Sequence, residues 1–170
     1  MIRIGITGHI HLTADSADLI YQAIVAELRG YDDGCVRGVT CLADGADQIF
    51  ARAVLASRGS YEVILPARDY RDKQIRPEAR PDFDELVRCA AEVSYTRHAH
   101  SGDDAFLDAS MEMLRRSDRL LAVWDGRAGR SGGTADVVTR ARAMRLPVTV
   151  IWPAGAARTG QTLPGRIIAG

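Results

Sequence analysis

The sequence predicts a single α/β domain: a doubly wound, mainly parallel sheet of five or six strands with helices on both faces. Three observations predict it. Short apolar runs alternate with stretches of helical periodicity from residue 2 to residue 153, the rhythm of βαβ units with right-handed crossovers. Glycine, aspartate and proline punctuate the ends of those runs, as at Thr7-Gly8-His9, Asp125-Gly126 and Pro66. The length of 170 residues, with no internal repeat and no interdomain linker, allows one core.

Each element follows in order. Ile2, Ile4 and Ile6 open a short apolar run of the kind that forms a buried strand. Asp15-Ser16 offer caps for a helix with Leu19, Ile20, Ala23, Ile24 and Leu28 at helical spacing, stopped by Gly30 and the Asp32-Asp33-Gly34 turn. Val36 to Cys41 is the second strand, and Asp47 to Arg58 is helical with Ile49, Ala53 and Val54 as its stripe. Tyr61 to Leu65 is the third strand, ended by Pro66.

Residues 67–82 break the rhythm. Their dense charge and two prolines, Pro77 and Pro81, exclude a core face, so the segment is expected as a polar flap or a solvated loop at the strand's exit. A short helix at Phe83 to Ala91 and a weak strand near Glu92 to Tyr95 resume the pattern. A helix from Asp103 to Ser117 carries Phe106, Ala109, Met113 and Leu114 on one side. Arg119 to Trp124 is a strong strand, Thr134 to Met144 a helix, and Pro147 to Trp152 the last strand. The domain is thus expected over 1–153, with 154–170 as an irregular C-terminal tail in which Ile167-Ile168 could dock.

Composition narrows the function. Lys plus Arg and Asp plus Glu both number 22, and 46% of residues are hydrophobic, as in an ordinary soluble globular domain. The charge balance argues against a nucleic-acid partner, which normally calls for a basic excess. No apolar run approaches the roughly 20 residues of a membrane span, and the N-terminus lacks the apolar stretch of a secretory signal. Cys35, Cys41 and Cys89 are sparse and odd in number, which suits reduced thiols and a cytoplasmic setting.

In doubly wound sheets, ligands bind beyond the carboxyl ends of the strands, where the strand order reverses. Three strand exits are therefore of interest. After the first strand, Thr7, Gly8 and His9 combine a hydroxyl with backbone that can approach a ligand, although taken by itself the segment reads first as a structural turn. After the second, Ala43-Asp44-Gly45-Ala46-Asp47 leads into a helix: one aspartate can cap it, leaving the other for sugar hydroxyls or a polar network. The third exit, Trp124-Asp125-Gly126 through Arg127, Arg130, Gly132, Gly133, Thr134 and Asp136, is the most informative. A strand feeds a glycine-dense loop that opens a helix, so unshielded amides and the helix dipole make an anion site over which Arg127 and Arg130 could close.

Other motifs carry less. The loop is not a Walker A sequence, since no lysine follows the glycines, and Gly5-Ile6-Thr7-Gly8 lacks the third glycine of a dinucleotide fingerprint. His9-Ile10-His11 and His98-Ala99-His100 have no partner spacing for a tetrahedral set, so no metal is expected. There is no nucleophile elbow. Trp124 and Trp152, each ending a strand, suit either base stacking or core packing.

Taken in order, Ile4-Gly5-Ile6-Thr7-Gly8-His9, Leu42-Ala43-Asp44-Gly45-Ala46-Asp47, Leu65-Pro66, Leu121-Ala122-Val123-Trp124-Asp125-Gly126 and Gly132-Gly133-Thr134-Ala135-Asp136 make the chain resemble the SLOG superfamily. This Rossmann-like group includes the DprA/Smf proteins and the LOG-type phosphoribohydrolases, and the similarity spans approximately residues 2 to 153. It implies a pocket for a nucleotide or nucleotide-derived ligand, with phosphate at Gly132-Gly133-Thr134, in a sensor or binding module that requires no cofactor. It also implies that Thr7, Gly8, His9, Ala43, Asp44, Gly45, Asp47, Pro66, Trp124, Asp125, Gly126, Arg130 and Asp136 surround the ligand.

The alternative is hydrolysis of a nucleoside 5′-monophosphate at its N-glycosidic bond, with Asp136 and Asp125 as the catalytic carboxylates. Here the sequence departs from the family: Val137 stands where LOG-type hydrolases carry glutamate, and valine cannot do a carboxylate's work in glycosidic cleavage. A DprA-like DNA-binding module is the second alternative. A homodimer or higher oligomer is expected because LOG-type relatives form dimers and because the 103–117 helix is expected to expose Met and Leu.

Overall fold

The computed structural model describes residues 1–129 and 131–159. Six strands, β1 (Ile2–Gly8), β2 (Val36–Thr40), β3 (Ser60–Ala67), β4 (Glu92–His98), β5 (Arg119–Val123) and β6 (Val148–Ile151), form one sheet in the order β4-β3-β2-β1-β5-β6. All five pairings are parallel. The chain winds outward from β1 to β4, returns to place β5 on the other side of β1, and ends at β6. The order therefore reverses between β1 and β5. The expected doubly wound α/β architecture is the observed one.

Helices cover both faces because alternate strand residues are apolar on both sides. Ile4, Ile6, Leu121 and Val123 pack with Ile20, Ile24 and Leu28 of α1 (Ala14–Leu28) and Phe50 and Val54 of α2 (Ala46–Ala56). On the opposite face, Val39, Ile64 and Leu120 meet Ala109, Met113 and Leu114 of α5 (Asp103–Arg115) and Val137 and Ala141 of α6 (Thr134–Ala143). Gly8 sits where β1, β5 and α2 converge: a Cβ there would lie 2.5 Å from the Ala46 Cβ and 2.7 Å from the Val123 Cβ. Only glycine lets the sheet and helix close at this point.

Three expectations need correction, and the start of the tail can be placed. The first helix is capped by Thr13, whose Oγ1 accepts from the Ser16 amide at 3.3 Å; Asp15-Ser16 lie inside it. Residues 67–82 are not a featureless flap. They hold α3 (Tyr70–Gln74), a 3₁₀ turn (Pro77–Ala79) and the start of α4 (Arg80–Cys89). Tyr70 and Ile75 are buried, while several of the charges around them are paired, as in the two 2.6 Å bonds from Arg71 to Asp84. The helix α5 buries Met113 and Leu114 against the sheet, which removes that ground for oligomerisation. The described part of the tail is tied down: Ala157 N–H donates to Ser16 Oγ at 2.7 Å, Thr159 N–H to the His11 carbonyl at 3.0 Å, and Leu12 and Arg158 form an antiparallel bridge. Ile167 and Ile168 lie outside the described residues. Among the described residues no helix is long and apolar enough to cross a membrane.

Candidate functional site

A cavity of about 430 Å³ opens beyond the carboxyl ends of the strands, where β1 and β5 diverge. Its wall begins with Thr7, Gly8 and His9 as β1 ends, and continues through Ala43 after β2, Asp47 in α2 and Pro66 in β3. Tyr70 of α3 and Phe106 and Met113 of α5 supply apolar surface, and Trp124 and residues 131–135 complete the rim.

The loop from β5 to α6 owes its shape to two glycines in left-handed conformations, Gly126 (φ 79°) and Gly132 (φ 74°). Gly133 is the N-cap of α6 and makes no side-chain cap bond. The first helical amides therefore have no intrahelical acceptor, and Gly133, Thr134 and Ala135 line the cavity. The helix dipole adds positive potential there. Neither the Thr7 nor the Thr134 hydroxyl has a hydrogen-bond partner among the described residues. Asp136 turns back into its own loop, accepting from Gly132 N–H at 2.8 Å and Arg140 Nε at 3.1 Å. The Gly132 amide, more than Arg140, holds its carboxyl below the ordinary range.

Two aspartates hold the neighbouring loops. Asp47, reaching back from the first turn of α2, accepts through Oδ2 from Thr40 Oγ1 (3.1 Å) and the amides of Cys41 (3.2 Å) and Ala43 (3.3 Å). Burial outweighs these bonds and lifts its pKa to about 6. The Leu42 amide also acts on this carboxylate. Burial likewise pushes up the Cys41 thiol beside it.

The Asp125 side chain is also largely shielded, yet its carboxyl stays below the usual range: burial is outweighed by the Arg127 amide, the His9 ring and Arg158. His9 accepts the Asp125 N–H on Nε2 at 3.2 Å and packs edge-on to Trp152, with ring centroids 5.4 Å apart. Burial first, then Arg158, lowers the His9 pKa. The same Nε2 lies 3.1 Å from Asp125 Oδ1, a contact that calls for a proton on Nε2, so the Asp125 amide and carboxylate ask for opposite tautomers of the ring.

The structure thus brings Thr7, Gly8, His9, Ala43, Asp47, Pro66, Trp124, Gly132, Gly133 and Thr134 to one cavity. It sets others apart from the wall. Asp44 bonds the Gly45 amide at 2.9 Å and pairs with Arg76. Gly45 (φ 79°) lets the first turn of α2 meet the His9 carbonyl. Asp125, Gly126 and Asp136 shape loops, and the two carboxylates named for hydrolysis are thereby engaged in protein contacts. Trp124 donates its indole N–H to the Arg127 carbonyl at 2.8 Å, while Trp152 packs on His9. Arg130 lies outside the described residues.

His98 and His100 pair separately with Asp108 (2.8 Å) and Asp69 (3.1 Å), and no metal-binding cluster occurs among the described residues. Sequence reasoning misses Tyr70, Phe106 and Arg158 as wall residues. For Phe106 a signal is present, since it lies one turn from the start of a helix that borders a strand exit.

Fold and site together define a Rossmann-like domain with its crevice at the topological switch point. No family profile matches the chain, and no curated protein matches it. Solved structures do. DNA processing protein A (DprA) from Streptococcus pneumoniae superposes with a TM-score of 0.67 at 14% identity, over 91% of this chain and 52% of that one. DprA from Helicobacter pylori, described with a single-stranded DNA binding mode, gives 0.66 at 14% identity, over 92% and 68%. The Moco carrier protein of Chlamydomonas rheinhardtii gives 0.52 at 14% identity, over 88% and 74%. The chain therefore spans about half the length of the pneumococcal DprA chain. At these identities the likeness is one of fold, the Rossmann-like α/β architecture that the sequence predicts.

Proposed function

We propose that the cavity binds a nucleotide or nucleotide-derived ligand, with a phosphate on the amides of Gly133, Thr134 and Ala135, and that the domain acts as a binding or sensing module. One observation carries this reading: a helix N-terminus without a side-chain cap opens into the cavity at the switch point, flanked by the unpartnered hydroxyls of Thr7 and Thr134. Such an end offers an anion several amide donors and a favourable dipole at once. The apolar wall of Phe106, Met113 and Tyr70 suits a base, and the Asp47 carboxyl on the same wall is an acceptor for a sugar hydroxyl. The carrier relative, by its name, holds a cofactor in the same fold.

Binding without turnover is favoured over hydrolysis. Val137 lines the wall, and Asp136 is occupied by Gly132 and Arg140. The balanced charge also gives no electrostatic footprint for DNA.

A thermal-shift panel of mono-, di- and cyclic nucleotides tests the reading. A ligand at a hundredfold its Kd adds about 2.7 kcal/mol, and each kcal/mol moves Tm by roughly 2–4 °C at this size. The G133V variant is the key control, because φ −81° and ψ −179° accept a β-branched residue while its side chain crowds the amides. The expected result is a shift for wild type, abolished in G133V and reduced in T134A, with no free base released. No shift with any nucleotide, or equal shifts in all three proteins, overturns it.

A further inference from the structure

The segment after β6 carries an unassigned residue into the cavity. Residues 156–159 run antiparallel to the loop after β1: Thr13 N–H donates to the Ala157 carbonyl at 3.4 Å, Thr159 N–H to the His11 carbonyl at 3.0 Å, and Ala157 N–H to Ser16 Oγ at 2.7 Å. This pairing fixes the backbone of Arg158, whose side chain lines the cavity. Behind it lies Asp125, its side chain 6% exposed, with its Oδ2 3.8 Å from Arg158 Nη1. That distance gives charge attraction but no hydrogen bond, and Oδ2 is buried with no hydrogen-bond partner. The guanidinium likewise donates no hydrogen bond among the described residues.

An arginine has five N–H donors in a planar fork suited to phosphate oxygens. Here a buried carboxylate holds that fork in place by charge, its donors are unspent, and the cavity lies in front of it. Neutralising an interior carboxylate alone would leave no reason for the guanidinium to reach the cavity wall. The first anion position, at Gly133–Ala135, belongs to the lip formed after β5, whereas Arg158 is pinned to the lip formed after β1.

We infer that Arg158 is a second anion-binding residue of the cavity, and that the site takes nucleotides bearing two joined phosphates in preference to monophosphates. This rests on the proposed nucleotide site and narrows its ligand class. One phosphate engages the α6 amides and the next engages the Arg158 fork, with Asp125 orienting the guanidinium from behind.

Isothermal titration with AMP and ADP tests it on wild type, R158Q, R158K and G133V. Wild type is expected to bind ADP more tightly than AMP by about tenfold or more, the order of one charge-assisted hydrogen bond. In R158Q that ratio falls to near one, and R158K, which keeps charge but not the fork, falls between. A ratio that a merely structural arginine would not move is thus the readout, independent of any loss of stability. A wild-type ratio near one, or a ratio unchanged in R158Q, overturns the inference. If R158Q keeps the ratio while G133V loses both ligands, only this inference fails; if wild type binds neither nucleotide, the proposed function fails with it.

Discussion

Replacing Asp47 with asparagine should make the domain's stability less sensitive to pH, in a direction that the burial of this carboxyl dictates. Its pKa rises from the ordinary 3.8 to about 6, with burial the largest cause and the donors from Ala43, Thr40 and Cys41 acting against it. Between those values the folded chain holds a proton that the unfolded chain has released. Stability is therefore greatest below 3.8, falls as pH rises through 6, and levels off above. A rise of that size corresponds to on the order of 3 kcal/mol, or roughly 6–12 °C in Tm for a domain of this size. The D47N variant has no proton to exchange at this position, so subtracting its curve removes the contributions of all other groups. Urea unfolding at pH 4, 5, 6 and 7, followed by tryptophan fluorescence, should show the variant gaining on wild type by that amount as pH rises. A constant gap would mean that folding leaves the pKa unshifted, and one that moves in favour of wild type that the ionised carboxylate is the better stabilised form; in either case burial would not be what governs it.

Two further outcomes follow from the same region. The G8A variant should lose about 1–3 kcal/mol, the cost of overpacking, because its methyl would sit 2.5 Å from the Ala46 Cβ and 2.7 Å from the Val123 Cβ; chemical denaturation measures it, and unchanged stability would show that the three elements do not close as described. His9, lowered from 6.5 by burial and Arg158, should be neutral at pH 7; the stability this gives is present above pH 6.5 and lost as pH falls toward the folded value, so H9Q should flatten that part of the profile. Imidazole nitrogen NMR checks the charge state directly.

The alternation of strand and helix is legible because the inner strands β1, β2, β3 and β5 are rich in buried apolar residues and turn residues such as Gly8, Pro66 and Asp125 stand at or just beyond three of their ends. Ile2–Gly8 and Arg119–Val123 are examples whose bounds fall close to the expected ones. Strand order is not legible in the same way: the pairing of β1 with β5 joins residues more than a hundred apart. The helix α3 escapes notice because five residues are too few to show a period, and the buried pair Tyr70 and Ile75 is diluted by charge. The cavity's glycine lip can be read from Gly132-Gly133-Thr134, since its chemistry is backbone and needs no distant partner. Asp125 and Asp136 point to a ligand in the sequence for the same reason that they hold loops in the structure. A carboxylate beside free amides accepts from whichever donor is nearest, and the nearest here are Arg127 N–H and Gly132 N–H. Arg158 is out of reach of such reasoning, because its position depends on a bridge to Leu12 within a segment of turn-like composition.

Titration of ¹⁵N-labelled protein with ADP, followed amide by amide, examines most directly whether the uncapped end of α6 is where an anion sits. The largest shifts are expected at Gly133, Thr134 and Ala135, with smaller ones at Thr7 and His9 across the switch point. Shifts confined to the β4 edge, or none anywhere at saturating nucleotide, would show that the helix end holds no phosphate.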